Sequence, residues 1–362
     1  MNSLSQFPAP LLAWYQHNAR ALPWRQSPTP YRVWVSEIML QQTRVGAVLG
    51  YFSRFMETFP TVADLAQAPE DLLMKQWQGL GYYSRARNLQ KAAKQIMTDF
   101  GGEFPRAYED IRSLAGVGDY TAGAIASIAF GLPVPAVDGN LLRVTARLTG
   151  DFTDITTPGM KKKVTAALQK VIPPEAPGAF NQAMMDLGAT ICLPNGAPLC
   201  EDCPVQAVCA AYQNNQTNLL PVRKPKAPRQ LISRQVFLLF YEGKVALRRR
   251  PSKGLLAGLW EYPGEDEDPR AGYLSQWDIT PLREEDGPKA KHIFTHVEWH
   301  MTPHLIWVAN DRLPTGWVWA DRVALEREYA IPSALRPFAS LVDRGLWESL
   351  HREEWEDSHG LD

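Results

Sequence analysis

The sequence predicts a two-domain protein, an all-α first domain followed by an α+β second domain, and three observations carry that expectation. At 362 residues, 45% apolar and 21% charged, the chain has the length and composition of two globular cores. Apolar residues recur three and four apart from about residue 10 to 220, whereas beyond about 230 the period shortens to two. Between the two patterns, residues 219–229 hold three prolines and four basic side chains, too broken for helix or sheet. The expected boundaries are 1–218 for the first domain, 219–232 for a linker, 233–350 for the second domain and 351–362 for an acidic tail.

In the first domain the helical segments are 33–59, 68–78, 84–100, 121–130 and 140–149, with breaks at Pro60, Gly101-Gly102, Pro105 and Pro133. In the second, 236–241, 245–249, 294–301 and 305–308 read as strands, with Glu242-Gly243 as a turn, and helical patterns return at 321–329 and 332–348. The net charge of −1 hides a small asymmetry: residues 1–225 carry 20 basic against 17 acidic side chains, the remainder 18 against 22. A mildly basic first part permits nucleic-acid binding. No apolar run reaches membrane-span length, and residues 1–10 lack the basic start and apolar core of a signal peptide, so a cytoplasmic, intracellular protein is expected.

Several motifs carry chemistry. Glu37 lies in Trp34-Val35-Ser36-Glu37-Ile38-Met39-Leu40-Gln41-Gln42-Thr43, an otherwise apolar helix. Desolvation there raises a carboxyl pKa and keeps a proton at hand near neutral pH, as a general acid requires; an exposed helix-face glutamate is the even alternative. Gln41, Gln42 and Thr43 add polar groups usable on base edges. Gly79-Leu80-Gly81-Tyr82-Tyr83-Ser84-Arg85-Ala86-Arg87 suits a loop that wedges a side chain into a base stack while arginines hold phosphate, or equally a tyrosine pair packing a helix cap.

The stretch Leu114-Ala115-Gly116-Val117-Gly118-Asp119-Tyr120 places two glycines before a helix whose free N–H groups form a phosphate clamp. Asp138 follows at the start of another helical pattern. An ordinary helix–helix turn with Asp138 as N-cap is the plainer reading of the same residues. All four cysteines, Cys192, Cys200, Cys203 and Cys209, fall within eighteen residues. Clustering of that kind indicates metal, and four thiolates suit a structural zinc or a cubane iron–sulfur cluster.

Together these residues closely resemble the adenine DNA glycosylase (MutY) family of the endonuclease III, helix-hairpin-helix superfamily. Further segments that carry the resemblance are Leu22-Pro23-Trp24-Arg25, Val137-Asp138-Gly139-Asn140 and Phe180-Asn181-Gln182-Ala183-Met184-Met185-Asp186-Leu187-Gly188. They occur in the family's order across nearly the whole first domain. The resemblance implies a six-helix barrel with an iron–sulfur cluster helical domain, holding a [4Fe-4S] cluster on the four cysteines, and a cleft between the two. Glu37 matches the family's catalytic acid, and Asp138 and Asn140 its second carboxylate and partner amide. Leu80 and Tyr82 match residues inserted opposite the flipped base, Gln42 and Thr43 contacts near the opposite-strand base, and Arg20, Trp24 and Arg25 the approach to the adenine pocket; Gly116 and Gly118 form the hairpin. Tyr120 stands where bifunctional relatives carry a lysine nucleophile, which implies base removal without strand cleavage.

The second domain resembles the family's MutT-like, Nudix-type α+β domain. Phe294-Thr295-His296 resembles a Phe-Ser-His turn that faces 8-oxoguanine, with threonine for serine, and 255–263 matches its strand–loop segment. No Arg-Glu-x-x-Glu-Glu run follows Gly264, so the magnesium site of a nucleotide pyrophosphohydrolase is not expected. Two other departures are the seven residues between Cys192 and Cys200, where six is usual, and Ala115 in place of a frequent proline. The implied partner is double-stranded DNA with an A:8-oxoguanine or A:G mispair, bound by a monomer away from membranes. Alternatives are an endonuclease III-like lyase on oxidised pyrimidines, disfavoured by Tyr120, and a non-catalytic iron–sulfur DNA-binding protein, disfavoured by Glu37. A nucleotide hydrolase fails on the missing metal-binding run.

Overall fold

The computed structural model describes residues 3–225, 228–266 and 272–351. Lys226 and Ala227 of the expected linker, and the acidic tail from residue 352, lie outside the described residues. The chain divides into two compact units, Met1–Ala68 with Arg87–Lys226 and Pro69–Ala86 with Ala227–Asp362. The 69–86 segment, which precedes most of the first unit's chain, thus groups with the second.

Among its described residues the first unit contains helices and no strand. The helix Pro30–Leu40 opens with Thr29 accepting from Arg32 N and proline at the first position. Its apolar residues are buried almost all round, and Glu37 goes in with them. The single helix expected over 33–59 is broken: it stops at Leu40, Gln42 turns left-handed at φ 58°, and Val45–Thr58 starts afresh. Gln41, Gln42, Thr43 and Arg44 offer no apolar side chain to bury, so packing does not hold the backbone helical through them.

The helices Asp119–Phe130, Gly139–Thr149 and Pro177–Thr190 bring Phe180, Met184, Leu141, Val144 and Leu148 into one core, joined by Phe7 and by Leu11 of the Pro8–Asn18 helix. Between Tyr108–Ser113 and Asp119–Phe130 lies the glycine hairpin. Gly116 has φ +74° and a Cβ there would meet Asn88 Cβ at 2.6 Å, whereas Gly118 has φ −97° and open space around it. Only Gly116 is demanded by the backbone; Gly118 leaves the exposed helix start bare.

In the second unit a mixed sheet runs through the strands β1 (Gln230–Tyr241), β2 (Lys244–Arg249), β3 (Trp260–Glu261), β4 (Gly264–Glu265), β5 (Pro281–Asp286), β6 (Ala290–Ile293), β7 (Val297–Val308) and β8 (Trp317–Ala320). Its main path is β3-β2-β1-β7-β5, with β4 beside β1, β6 beside β7 and β8 beside β2. The long β1 and β7 pair in parallel, Gln230 opposite Val297 through Phe240 opposite Trp307, and the other pairings are antiparallel. Glu242-Gly243 makes the β1–β2 turn, both at positive φ.

The strands expected at 294–301 and 305–308 are one strand from Val297. Phe294-Thr295-His296 forms the turn before it, closed by Phe294 N to Val297 O at 2.8 Å. The helix Ala339–Leu350 crosses the sheet with Gly345 on Phe240, where a Cβ would collide with the ring.

Replacing Gly116 by Ala should lower stability by about 1–3 kcal/mol, the cost of a left-handed residue plus the Asn88 contact, while Gly118→Ala should leave it nearly unchanged. Thermal unfolding of the two variants checks this, and equal melting shifts would contradict it.

Candidate active site

The buried Pro30–Leu40 helix, the start of Asp119–Phe130 and the start of Gly139–Thr149 converge on a cavity of about 170 Å³. That is well beyond the ~10–15 Å³ that one water needs. Its lining includes Arg20, Trp24, Arg25, Glu37, Thr43, Tyr120, Asp138 and Asn140, so residues 120 positions apart in the chain meet there.

Glu37 is 5% exposed. Burial pushes its carboxyl up to about 7; the hydroxyl of Tyr120, donating to Oε2 at 2.5 Å, opposes the rise, Asp138 reinforces it and Arg25 opposes it. Burial and the two carboxylates hold the Tyr120 hydroxyl well above its ordinary range, so it keeps its proton and remains a donor. Asp138 caps the Gly139–Thr149 helix, accepting from Leu141 N at 2.8 Å and from the Asn140 amide at 2.7 Å. Burial raises its pKa too, against those two donors.

Asn140 also accepts from Arg143 Nη2 at 2.9 Å, and Arg143 donates to the carbonyls of Gly188 and Cys192. A chain of hydrogen bonds therefore joins Asp138 to the backbone of the cysteine loop.

Sequence reasoning assigned no role to Asp186, whose side chain is fully buried. It accepts from Arg20 Nε at 2.7 Å and from Arg25 through Nη1 at 2.7 Å and Nη2 at 2.9 Å. Burial pushes its carboxyl up, but the Arg25 and Arg20 contacts outweigh it and hold it below the usual range. The partners lie 161 and 166 residues away, so no local signal marks the group.

Gln42 is exposed and outside the cavity lining, as are Gly116 and Gly118. Leu80 is buried; Tyr82, 43% exposed with φ 47°, has its hydroxyl 2.7 Å from Thr295 Oγ1 within the second unit. Thr295 and His296 are exposed at their turn, and Phe294 packs on Trp299 with ring centroids 5.0 Å apart.

Cys192, Cys200, Cys203 and Cys209 line a second cavity with Arg147, whose Nη1 is 3.2 Å from Cys192 Sγ. Burial pushes the Cys203 thiol up to about 12. The seven-residue span closes through Leu199 N to Ile191 O at 2.9 Å. Among the described residues no three His, Cys, Asp or Glu side chains are grouped to hold a single metal ion.

Residues 35–174 match the model of the HhH-GPD superfamily base excision DNA repair proteins, and residues 235–341 match the NUDIX domain. The adenine DNA glycosylase of Mus musculus is 35% identical over 375 residues, covering 86% of this chain and 72% of its own. This chain belongs to the adenine DNA glycosylase family. The adenine DNA glycosylase of Buchnera aphidicola subsp. Baizongia pistaciae (strain Bp) is 34% identical over 314 residues, covering 84% of this chain and 86% of its own.

A solved non-covalent endonuclease III–DNA complex superposes with a TM-score of 0.51 and 26% identity, covering 59% of this chain and 99% of that one. The protein is a DNA glycosylase of base excision repair, a helix-hairpin-helix domain followed by a NUDIX domain. No helix among its described residues is long and apolar enough to cross a membrane.

Because Glu37 keeps its proton in the folded state up to about pH 7 but ionises near 4.5 when unfolded, it makes stability fall as pH rises between those values. Glu37→Gln should therefore be more stable than the parent by a margin that grows from about pH 4.5 to 7 and then levels off. Melting curves across that range test it; a margin independent of pH would contradict the raised pKa.

Proposed function

We propose that this glycosylase binds double-stranded DNA as a monomer and hydrolyses the N-glycosidic bond of adenine mispaired with 8-oxoguanine or guanine, leaving the strand uncut. One observation carries the reading: a carboxyl raised to about 7 and a second, capped carboxylate line the same cavity. That pairing divides the work of an acid and an electrostatic stabiliser. Tyr120 occupies Glu37 Oε2, which leaves Oε1 to carry the proton to adenine N7.

The C1′–N9 electron pair then departs with the protonated base, leaving an oxocarbenium ion that faces Asp138. Water adds at C1′ and loses a proton, giving the abasic sugar. Arg20 and Arg25, fixed on Asp186, and Trp24 form the wall that orients the base. Tyr120, a protonated phenol where lyases use an amine, offers no Schiff-base nucleophile.

Gly116 and Gly118 leave the hairpin N–H groups open to phosphate, and Gln42, Thr43, Leu80 and Tyr82 act on the strand opposite the flipped base. The exposed Phe294-Thr295-His296 turn reads 8-oxoguanine; the 2.7 Å approach of Tyr82 to Thr295 supports that assignment.

The four cysteines hold a [4Fe-4S] cluster as thiolates, and four thiols on one cavity beside the Arg147 guanidinium fit that group. Bound, the cluster cross-links the 192–209 loop; it supplies no step of the hydrolysis. Purified protein should be brown with broad visible absorption, and colourless protein with stoichiometric zinc would overturn this assignment.

A labelled A:8-oxoguanine duplex incubated with the enzyme should yield strand breaks only after alkali. Glu37→Gln should bind that duplex and lose ~10²-fold or more in excision rate, and the parental rate should fall as pH rises above about 7. Asp138→Asn should also bind and fail while keeping the pH dependence of its residual rate. Excision by Glu37→Gln at the parental rate would remove the acid and the mechanism with it.

A further inference from the structure

The helix Glu70–Trp77 and the turn after it share a compact unit with residues 227–362. Two side chains tie them in. Lys75 Nζ donates to Leu325 O at 2.9 Å and Tyr329 O at 3.1 Å, at the end of the helix Arg322–Arg327. Unpaired terminal carbonyls and the helix dipole favour a cation at that place. Gln78 Nε2 donates to Ile331 O at 2.9 Å. The exposed Arg249–Asp71 pair at 3.3 Å adds little.

The receiving stretch is itself held from behind. Trp260, in the 255–263 segment that stands out in the sequence, donates its backbone N–H to Ala330 O at 3.3 Å and packs edge-on against Tyr329 at 5.0 Å.

Beyond Gln78 the turn is stiff. Gly79, Gly81 and Tyr82 all have positive φ, and Arg85 donates to Leu80 O and Gly81 O at 3.0 Å with its guanidinium 5.4 Å from the rings of Trp77 and Tyr82. The far end of the turn meets Thr295 through the Tyr82 hydroxyl. Within its unit the 79–83 turn is thus fastened at its base to residues 325–331 and at its tip to Thr295.

We propose that Lys75 and Gln78 are positioning residues that clamp the 79–83 turn and set its register against the Phe294-Thr295-His296 turn. The preference for 8-oxoguanine over guanine opposite adenine then depends on two side chains that touch neither base. The inference rests on the reading of 294–296 as the lesion-reading turn.

The test uses the full-length protein and single-turnover excision on A:8-oxoguanine and A:G duplexes, with Lys75→Met, Gln78→Leu, Lys75→Arg and Thr295→Val. Lys75→Met, which loses two charge-assisted hydrogen bonds, should lower the preference roughly tenfold while the A:G rate stays within about twofold of the parent. Gln78→Leu should lower the preference less, and Lys75→Arg should restore most of it. Amide exchange over 78–83 should quicken in Lys75→Met while that of 33–39 is unchanged.

A preference unchanged in Lys75→Met but lowered in Thr295→Val overturns the clamp alone. A preference unchanged in both overturns the lesion-reading role of the turn, and the clamp's purpose with it. Equal losses on both duplexes also overturn the clamp, since they place Lys75 in general stability or chemistry.

Discussion

A carboxyl group taken out of water is stable when it keeps its proton or when donors surround it, and Glu37 is held between those two solutions. Its helix is buried because Val33, Trp34, Val35, Ile38 and Met39 leave no face for solvent, and the carboxyl has to follow them. One donor, Tyr120, reaches it from the Asp119–Phe130 helix, enough to fix its direction but not enough to lower its pKa to the usual range. The proton available near neutral pH is therefore a consequence of packing. The cavity, the second carboxylate and the arginine wall are arranged around that one group.

The wall uses a different solution to the same problem. Asp186 is buried as deeply as Glu37 but is met by two guanidiniums, so it stays ionised and its charge is spent on holding Arg20 and Arg25 in place. Arg143 and Arg147, also buried, are satisfied mainly by backbone carbonyls and by Asn140. Through Asn140 the same arginine that braces the cysteine loop orients the amide on Asp138. Asp186 and its two arginines thus brace one another, while Glu37, met by one hydroxyl, keeps its proton.

In the second unit, Trp299 carries the Phe294 ring on its edge while Arg234 and Arg250 lie over it at 4.8 and 5.5 Å. Those arginines converge with Arg248 on the buried Glu261. An ionic and aromatic base thus underlies the turn on which Thr295 and His296 are exposed.

The sequence by itself determined the helical first part, the change of period after the prolines and the cysteine group, because each is a local pattern of apolar spacing or residue type; it left Glu37 evenly between a buried and an exposed helix face, and packing buried it. It also carried the family resemblance. It did not locate the break at 41–44, where four successive polar residues interrupt the apolar spacing and Gln42 turns left-handed. Nor did it separate the pair of glycines into one required by backbone conformation and a close contact, Gly116, and one that neither requires, Gly118.

What only the tertiary structure decided are relations between distant residues. Asp186 meets Arg20 and Arg25, Tyr120 meets Glu37 across 83 positions, and Lys75 meets carbonyls 250 and 254 positions on. A hydrogen bond to a backbone carbonyl leaves no mark on the identity of the accepting residue, and an ion pair closed by folding leaves no spacing to read. Such contacts exist only once the apolar faces have chosen their partners.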